Sequence, residues 1–158
     1  MRGDKMEPRI INVKELLIAG LPGDGADTGA IWAEFDARYN VSQFARADNN
    51  GYEVRFSDSG DIFVGFSVAG ADAAKCYETL ILPAAEYAVF DVLVANGYDS
   101  ENMTMQAWLD GNADRYEQLS LKGQKYVAEC YNERFKGGGE PDSVVEIWIP
   151  LKARMVNN

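Results

Sequence analysis

Two glutamates inside apolar segments are the first residues of this sequence that could do chemistry. Glu146 lies in the stretch SVVEIWIPLK, and Glu129 lies in KYVAECYNERF. Both stretches have the composition of buried strands, yet an ionised carboxylate is among the costliest groups to bury without a partner. The two-residue period of a strand places Glu146 on the same face as Trp148, and Glu129 on the same face as Tyr131.

The strand face that carries Glu146 has two possible interpretations. Alternation puts Val145, Ile147 and Ile149 on the opposite face, which we expect to be core. Glu146 and Trp148 then either face a ligand groove, or belong to a partly covered surface on which the glutamate is exposed or ion-paired. The residues alone leave both alternatives open.

The complete absence of histidine restricts the reactions that are possible. It excludes Ser-His and Cys-His nucleophilic catalysis and removes the commonest metal ligand. A hydrolase would have to use carboxylates, with Glu146 and Glu129 as the acid/base pair. We expect no metal and no cofactor. Cys76 and Cys130 are interpreted as reduced core thiols, with a disulfide as the alternative.

Composition and charge define the class of protein. The chain has 158 residues, of which 47% are hydrophobic and 25% charged, and this predicts one globular domain spanning residues 1–158. A net charge of −10 argues against direct nucleic-acid binding and favours cationic ligands, although acidity alone is more often a solubility trait. No stretch approaches the ~20 apolar residues of a membrane span, and the first residues lack an apolar signal segment. We therefore expect a cytoplasmic protein that does not bind membranes.

Predicted strands and helices follow a similar order in two parts of the chain, with one additional strand in the second part. The first part contains a strand, a helix and two further strands: Ile10–Ala19, Thr28–Tyr39, Gly51–Ser57 and Asp61–Ala69. The second part contains two strands, a helix that lies within a wider range, and two strands: Lys75–Leu82, Glu86–Val94, Asn102–Leu119, Lys125–Phe135 and Ser143–Leu151.

Weak internal similarity accompanies this order. VKELLIAGL resembles YETLILPAA, and AIWAEFDARY resembles QAWLDGNADRY. The pattern predicts an α+β fold with duplicated strand-helix-strand-strand units, approximately 10–69 and 75–152. Two helices would flank a central ligand groove on one face of a largely antiparallel sheet. Gly111 is predicted to end or interrupt the second helix.

Three segments, taken in order, resemble the gyrase-inhibitor-like family, the AraC-type effector-binding domain of some bacterial multidrug-responsive transcription factors. They are GYEVRFSDSGDIFVGFSV, CYETLILPAAEYAVFDV, and YVAECYNERFK leading into VVEIWIPLK. The resemblance runs from about Ile10 to Lys152. It implies a duplicated fold with a ligand cleft between the halves, in which drug-sensing members bind lipophilic cations with a buried glutamate and aromatic residues. By motif position, that acidic residue falls on Glu146.

The resemblance also implies several possible activities. Other members are stand-alone proteins, some bind gyrase, and a subset resembles hydrolases of cyclopropane-containing compounds. Many members have a stretch that contains Trp-Leu-Pro, and in this chain the sequence AWLDGNADRYEQLSLKG replaces it. The resemblance therefore does not predict the wall of the pocket that this stretch forms. The residues before Ile10 are too few for a helix-turn-helix, and we expect no direct DNA binding.

The leading hypothesis is therefore a stand-alone protein that binds lipophilic or cationic aromatic compounds. Alternatives are a carboxylate-based hydrolase that uses Glu146 and Glu129, or a protein-interaction module that modulates gyrase or a transcriptional partner. Core packing is the alternative role for each aromatic candidate. The candidate ligand-binding residues are Glu146, Trp148, Tyr87, Tyr131, Trp108 and Trp32.

Overall fold

A computed structural model describes residues 7–38, 46–70, 72, 77–137 and 139–155. Within these ranges the chain forms ten β-strands and two α-helices. The strands are β1 (Arg9–Val13), β2 (Leu16–Asp24), β3 (Arg46–Phe56), β4 (Asp61–Val68), β5 (Glu78–Leu82), β6 (Ala85–Leu93), β7 (Tyr116–Gln118), β8 (Ser120–Leu121), β9 (Gln124–Tyr131) and β10 (Val144–Ala153). The helices are α1 (Thr28–Arg38) and α2 (Tyr98–Gly111).

The strands form a sheet in the order β1-β6-β10-β9-β3-β4-β2-β5, with β7 beside β10 and β8 beside β9. Every pair of neighbours is antiparallel. The order is symmetric about the central β9–β3 pair. The units β2-α1-β3-β4 and β6-α2-β9-β10 therefore have the same arrangement, and the predicted α+β fold with duplicated units is confirmed.

Two short connections make the sheet curl. Lys14 and Glu15 join β1, at one edge of the sheet, to β2 near the other edge, and Pro83 and Ala84 join β5 to β6 in the same way. A connection of this length spans on the order of 10 Å, so the two edges must lie close together. The predicted single strand Ile10–Ala19 is wrong for this reason: its period continues through the break, but its two parts pair with different strands.

The inner face of the curled sheet is closed by a hydrophobic core. This core joins strands from both edges, such as β5 and β6, to the central strands. Leu82, Tyr87, Val54 and Trp148 are all buried in it. No helix contributes to this inner cluster among the described residues, so the sheet packs on itself there.

Both helices pack on the outer face, as predicted. Ile31 and Phe35 of α1 lie on β2 and β4, and Met105 of α2 lies on β6 and β10. The central strands β3 and β9 lie between the two helix-covered regions. The outer face of this central pair forms the floor of a groove.

A close contact between β2 and β4 requires glycine on both strands. Gly20 lies opposite Gly65 in the register. A Cβ atom on either residue would overlap a backbone carbonyl of the facing strand. The two strands can therefore approach this closely only where neither residue has a side chain.

The second half differs in detail from the prediction. Helix α2 ends at Gly111 as expected but begins earlier, at Tyr98, after a short 3-10 turn at Val94–Asn96. Strands β7 and β8 were not predicted, because a three-residue and a two-residue strand carry almost no periodicity. Tyr39, at the end of the predicted first helix, and Cys76 lie outside the described residues.

Candidate functional site

The groove between the two helices has a volume of about 680 Å³. Its floor is formed by β3, β9 and β10, and one wall is formed by α2. On the other side it reaches the first residue of α1. The residues lining it are Thr28, Arg55, Phe56, Ser57, Gly60, Tyr98, Asn102, Met105, Gln106, Leu109, Gln118, Val127, Glu129, Tyr131, Ile147 and Ile149.

Two buried carboxylates meet beside this groove. Glu53 of β3 lies directly opposite Glu129 of β9 in the strand register. Glu53 is 0% exposed and Glu129 is 7% exposed. Like charges directly opposite each other destabilise a sheet, and buried carboxylates are costly unless they are paired. This arrangement therefore needs positive charge or a proton.

Arg55 supplies one positive charge to both acids. Its Nη2 lies 2.6 Å from Glu53 Oε2 in an ion pair, although the contact does not have hydrogen-bond geometry. Its Nε donates to Glu129 Oε2 at 2.8 Å, and Nη2 also donates to Thr28 Oγ1 at 3.3 Å. One guanidinium faces two carboxylates, so the cluster has an excess charge of −1 when both acids are ionised.

Two aromatic residues hold the acids in place. Trp32 Nε1 of α1 donates to Glu53 Oε1 at 2.9 Å, and the Tyr131 hydroxyl donates to Glu129 Oε1 at 2.6 Å. Hydrogen bonds to charged acceptors are stronger than neutral ones. The carboxylates are thus fixed by neutral donors on one side and by Arg55 on the other.

The environment shifts the ionisation of these groups. Burial raises the pKa of Glu129, and the charge of Glu53 raises it further, against the lowering effects of Tyr131 and Arg55. Burial and then the charge of Glu129 raise the pKa of Tyr131. Burial acts to lower the pKa of Arg55, but the charges of Glu129 and Glu53 outweigh it and the net shift is upward. Arg55 therefore stays charged, and Glu129 is the group that holds a proton more readily than usual.

Beyond Tyr131 a second depression, of about 530 Å³, continues toward α1. Its rings pack edge to face: Tyr131 lies 6.0 Å from Trp32 and 4.8 Å from Phe135, measured between ring centroids. Phe66 completes the wall, with the Arg46 guanidinium 3.9 Å from its ring centroid. Aromatic faces of this kind attract cations.

Three of the residues singled out in the sequence lie together in this region. Glu129 and Tyr131 line the groove, and Trp32 lines the adjoining depression. Trp108 lies elsewhere, stacked on Tyr116 with its centroid 6.1 Å away, beside a separate depression of about 330 Å³. Trp108 therefore does not line the same groove as Tyr131, and its role in ligand binding stays a prediction.

Tyr87 also lies away from the groove. Its side chain is buried in the inner core, where its hydroxyl is 3.0 Å from the hydroxyl of Tyr126. It packs against Trp148, with ring centroids 5.4 Å apart. For Tyr87 the structure matches the core-packing alternative, because its strand parity turns it toward the inner face.

Glu146 and Trp148 share a face, as alternation predicts, but it is the inner face. Val145, Ile147 and Ile149 form the outer face of β10 and pack toward α2, and Ile147 and Ile149 line the groove. The prediction that Glu146 and Trp148 face the groove is thus wrong. Both faces of β10 are covered, one by the helix and the other by the curled sheet itself.

Glu146 lies in an ion-pair network at one end of the inner face. Its Oε2 accepts from Arg134 at 2.6 Å, from Asn132 at 3.0 Å and from Arg9 at 3.3 Å. Its Oε1 accepts from Trp148 Nε1 at 2.9 Å. This geometry matches the ion-paired alternative, and the carboxylate already has its counter-charges. A role of Glu146 in ligand binding stays a prediction.

Glu53 and Arg55 were not among the site residues predicted from the sequence. Both lie in GYEVRFS, where period two places them together and opposite Tyr52 and Val54. A glutamate flanked by apolar residues was the signal that drew attention to Glu146, and it applies equally to Glu53. The significance of Glu53 depends on its pairing with Glu129, which only the register of β3 and β9 establishes.

The thiol of Cys130 is not disulfide-bonded and is buried on the inner face. Burial raises its pKa to about 12. The thiolate is the reactive form of cysteine, so this residue is a poor nucleophile.

The described part of the chain contains no helix long and apolar enough to cross a bilayer.

Solved structures with low sequence identity share this fold. SAV2435, in a structure with bound tetraphenylphosphonium, aligns with a TM-score of 0.69 at 13% identity, over 93% of this chain and 94% of its own. A putative bacterial transcription regulation protein from Staphylococcus aureus MU50 aligns with a TM-score of 0.57 at 18% identity, over 93% and 99%.

EcmrR, in a complex with DNA, aligns with a TM-score of 0.66 at 9% identity, and the match spans 94% of this chain but 58% of EcmrR. No family model and no curated protein sequence matches the chain. At these identities the comparisons show the fold alone. Membership of the gyrase-inhibitor-like family stays a prediction.

Proposed function

We propose that the protein binds lipophilic organic cations in the groove between α1 and α2. Glu129 and Glu53 provide the counter-charge, Tyr131 provides an aromatic face of the groove, and Trp32 provides one in the adjoining depression. The observation that carries the proposal is the buried carboxylate pair with a single guanidinium between them. A cation that enters the groove reduces the repulsion between the acids and removes its own apolar surface from water.

The energetic reasoning has two parts. Burial of apolar ligand surface contributes about 25 cal/mol per Å², which favours hydrophobic molecules of any charge. The excess negative charge then selects cations among them, and each aromatic face adds roughly 0.5–2 kcal/mol of cation–π attraction. A delocalised organic cation needs no fixed hydrogen-bond geometry, so one groove can accept several compounds.

The comparisons add support from a related fold. SAV2435 is described with tetraphenylphosphonium, a hydrophobic cation of the class proposed here. The groove of the present protein, at about 680 Å³, has the size of a typical small-molecule site. Glu129 takes the place that the sequence analysis assigned to Glu146, because Glu129 is the carboxylate that lines the groove.

Isothermal titration calorimetry with methyltriphenylphosphonium tests the proposal directly. Triphenylphosphine oxide is the neutral control of similar shape, and we expect it to bind more weakly. Failure of the cation to bind, or equal affinity for both compounds, would overturn the proposal.

A pair of neighbouring substitutions on α2 tests the location. Asn102 is exposed and lines the groove, so Asn102→Trp should obstruct it and weaken the binding of the phosphonium. Met103 is 75% exposed and is not among the groove-lining residues, so Met103→Trp is the matched control. Equal affinity of both variants would place the ligand elsewhere.

The hydrolase hypothesis loses its proposed acid/base pair. Glu146 and Glu129 lie on opposite faces of the sheet, so they cannot act together on one substrate. The hypothesis of a module that binds gyrase or a transcriptional partner stays a prediction. Among the described residues, no contact specifically favours the hydrolase or the protein-interaction hypothesis.

A further inference from the structure

Arg55 is the only lysine or arginine among the described residues that line the groove. Its guanidinium lies against both buried carboxylates, at 2.6 Å from Glu53 and 2.8 Å from Glu129. A ligand cation would seek the same position, because there the negative potential of both acids is combined. The groove therefore already contains a cation that belongs to the chain.

Arg55 is more exposed than the two acids that it contacts, and different groups hold it in place. Glu53 and Glu129 are held by Trp32 and Tyr131, and their side chains are 0% and 9% exposed. The side chain of Arg55 is 39% exposed. Its described hydrogen bonds and ion pairs reach only the two acids and Thr28 Oγ1, the latter at 3.3 Å. Arg55 thus lies at the open side of the cluster, on a long side chain with access to solvent.

We propose that Arg55 is a built-in competitor that sets the charge selectivity of the groove. It neutralises one of the two negative charges of the acid pair, and a ligand cation binds either beside it, against an excess charge of −1, or in its place, against −2. The inference rests on the proposed function, and it adds the residue that limits affinity. A groove without Arg55 would bind monovalent cations more tightly, whereas neutral ligands would bind unchanged.

The variant Arg55→Met tests this, since methionine keeps much of the apolar length and removes the charge. Arg134→Met is the matched control. Arg134 has the same 39% side-chain exposure and also contacts two carboxylates, those of Glu146 and Asp91, on the other face of the sheet. Both substitutions change the net charge by the same amount, so a difference between them reports the position of the charge.

Titrations with methyltriphenylphosphonium and with triphenylphosphine oxide, at about pH 8, provide the measurement. Burial raises the pKa of Glu129, and loss of the guanidinium removes a group that lowers it, so an alkaline pH is chosen to favour the ionised acid. We expect Arg55→Met to raise the affinity for the phosphonium by about tenfold or more. Arg134→Met should change it by less than about twofold, because screening by salt weakens distant charges. The affinity for the neutral oxide should stay constant.

The outcomes separate the two proposals. If the wild-type protein binds the phosphonium and Arg55→Met binds it equally or more weakly, the role of Arg55 is refuted while the proposed function stands. If neither binds it, the proposed function itself fails. If Arg55→Met alone binds it, the proposed function fails for the wild-type protein, and the role of Arg55 in excluding cations from the groove is supported.

The variant Arg55→Lys keeps the test decisive if Arg55→Met does not fold. Lysine retains the charge, but its ammonium is a compact point charge that cannot bridge two carboxylates in the way of a planar guanidinium. It should be displaced more easily, and we expect a gain of about two- to fivefold in affinity for the phosphonium. Weaker binding by Arg55→Lys than by the wild-type protein would contradict the competitor role.

Discussion

Replacement of Glu129 by glutamine removes one negative charge from the groove and keeps the size of the side chain. The amide retains an acceptor for the Tyr131 hydroxyl, which now donates to Glu129 Oε1 at 2.6 Å. A ligand charge about 5 Å from the carboxylate gains about 3 kcal/mol at an effective dielectric constant of about 20. That energy corresponds to about a hundredfold in affinity.

Two features of the site reduce this value. Arg55 already neutralises part of the charge, and burial raises the pKa of Glu129, so the wild-type carboxylate is not fully available to the ligand. We therefore expect Glu129→Gln to weaken binding of methyltriphenylphosphonium by about 10- to 100-fold. Binding of triphenylphosphine oxide should change by less than about threefold, because a neutral ligand has no net charge for the carboxylate to attract.

Glu146→Gln is the matched control, and calorimetric titration is the assay. Glu146 undergoes the same chemical change on the strand next to β9, and its side chain is 13% exposed against 9% for Glu129. It lies on the inner face, so we expect no more than about a twofold effect on the phosphonium. A larger loss for Glu146→Gln than for Glu129→Gln would refute the assignment of the groove. Equal losses of both ligands in Glu129→Gln would refute charge pairing.

Three predictions concern stability. Because the pKa of Glu129 is raised in the folded protein, its contribution to stability is complete below about pH 4.5 and is lost as the pH rises through the raised value. In urea unfolding, the wild-type protein should therefore lose stability relative to Glu129→Gln as the pH rises. A difference that stays constant with pH would contradict this. Trp32→Phe removes the donor to buried Glu53 and should lower the free energy of unfolding by about 1–3 kcal/mol in the same assay, and an unchanged value would contradict the role of this hydrogen bond. Gly65→Ala should cost more than about 3 kcal/mol or prevent folding, since its Cβ would overlap the backbone of β2. Gly29→Ala is the control, because its Cβ meets no atom within 4 Å, and it should change stability by at most about 1 kcal/mol. Equal melting temperatures for Gly65→Ala and Gly29→Ala would refute the close approach of β2 and β4.

Strand parity could be predicted because it follows from the covalent geometry of an extended chain. Glu146 and Trp148 do share a face, opposite Val145 and Ile147, and Glu129 does share a face with Tyr131. The assignment of a face to the groove could not follow from the same pattern. Strand β10 is covered on both sides, so apolar residues occur on both faces and neither marks the side of the helices.

The acid pair depends on contacts between distant parts of the chain. Glu53 and Arg55 were visible as a pair of charged residues at period two, but Glu129 comes 76 positions after Glu53 along the sequence. Only the register of β3 against β9 makes the two carboxylates neighbours and gives Arg55 two partners. Single-sequence periodicity contains no information about register between strands of different units.

The sequence by itself determined the order of the helices and longer strands, apart from the break between β1 and β2, as well as the duplication and the parity of the strands, because these follow from local periodicity and turn residues. The tertiary structure alone decided that the chain crosses between the two units at Lys14–Glu15 and Pro83–Ala84, which curls the sheet and closes its inner face. That closure places Glu146 inside the curl with its own arginines and leaves Glu129 in the groove. The physical reason is that a strand's two faces are equivalent in its own geometry, and only packing against the rest of the chain makes them different.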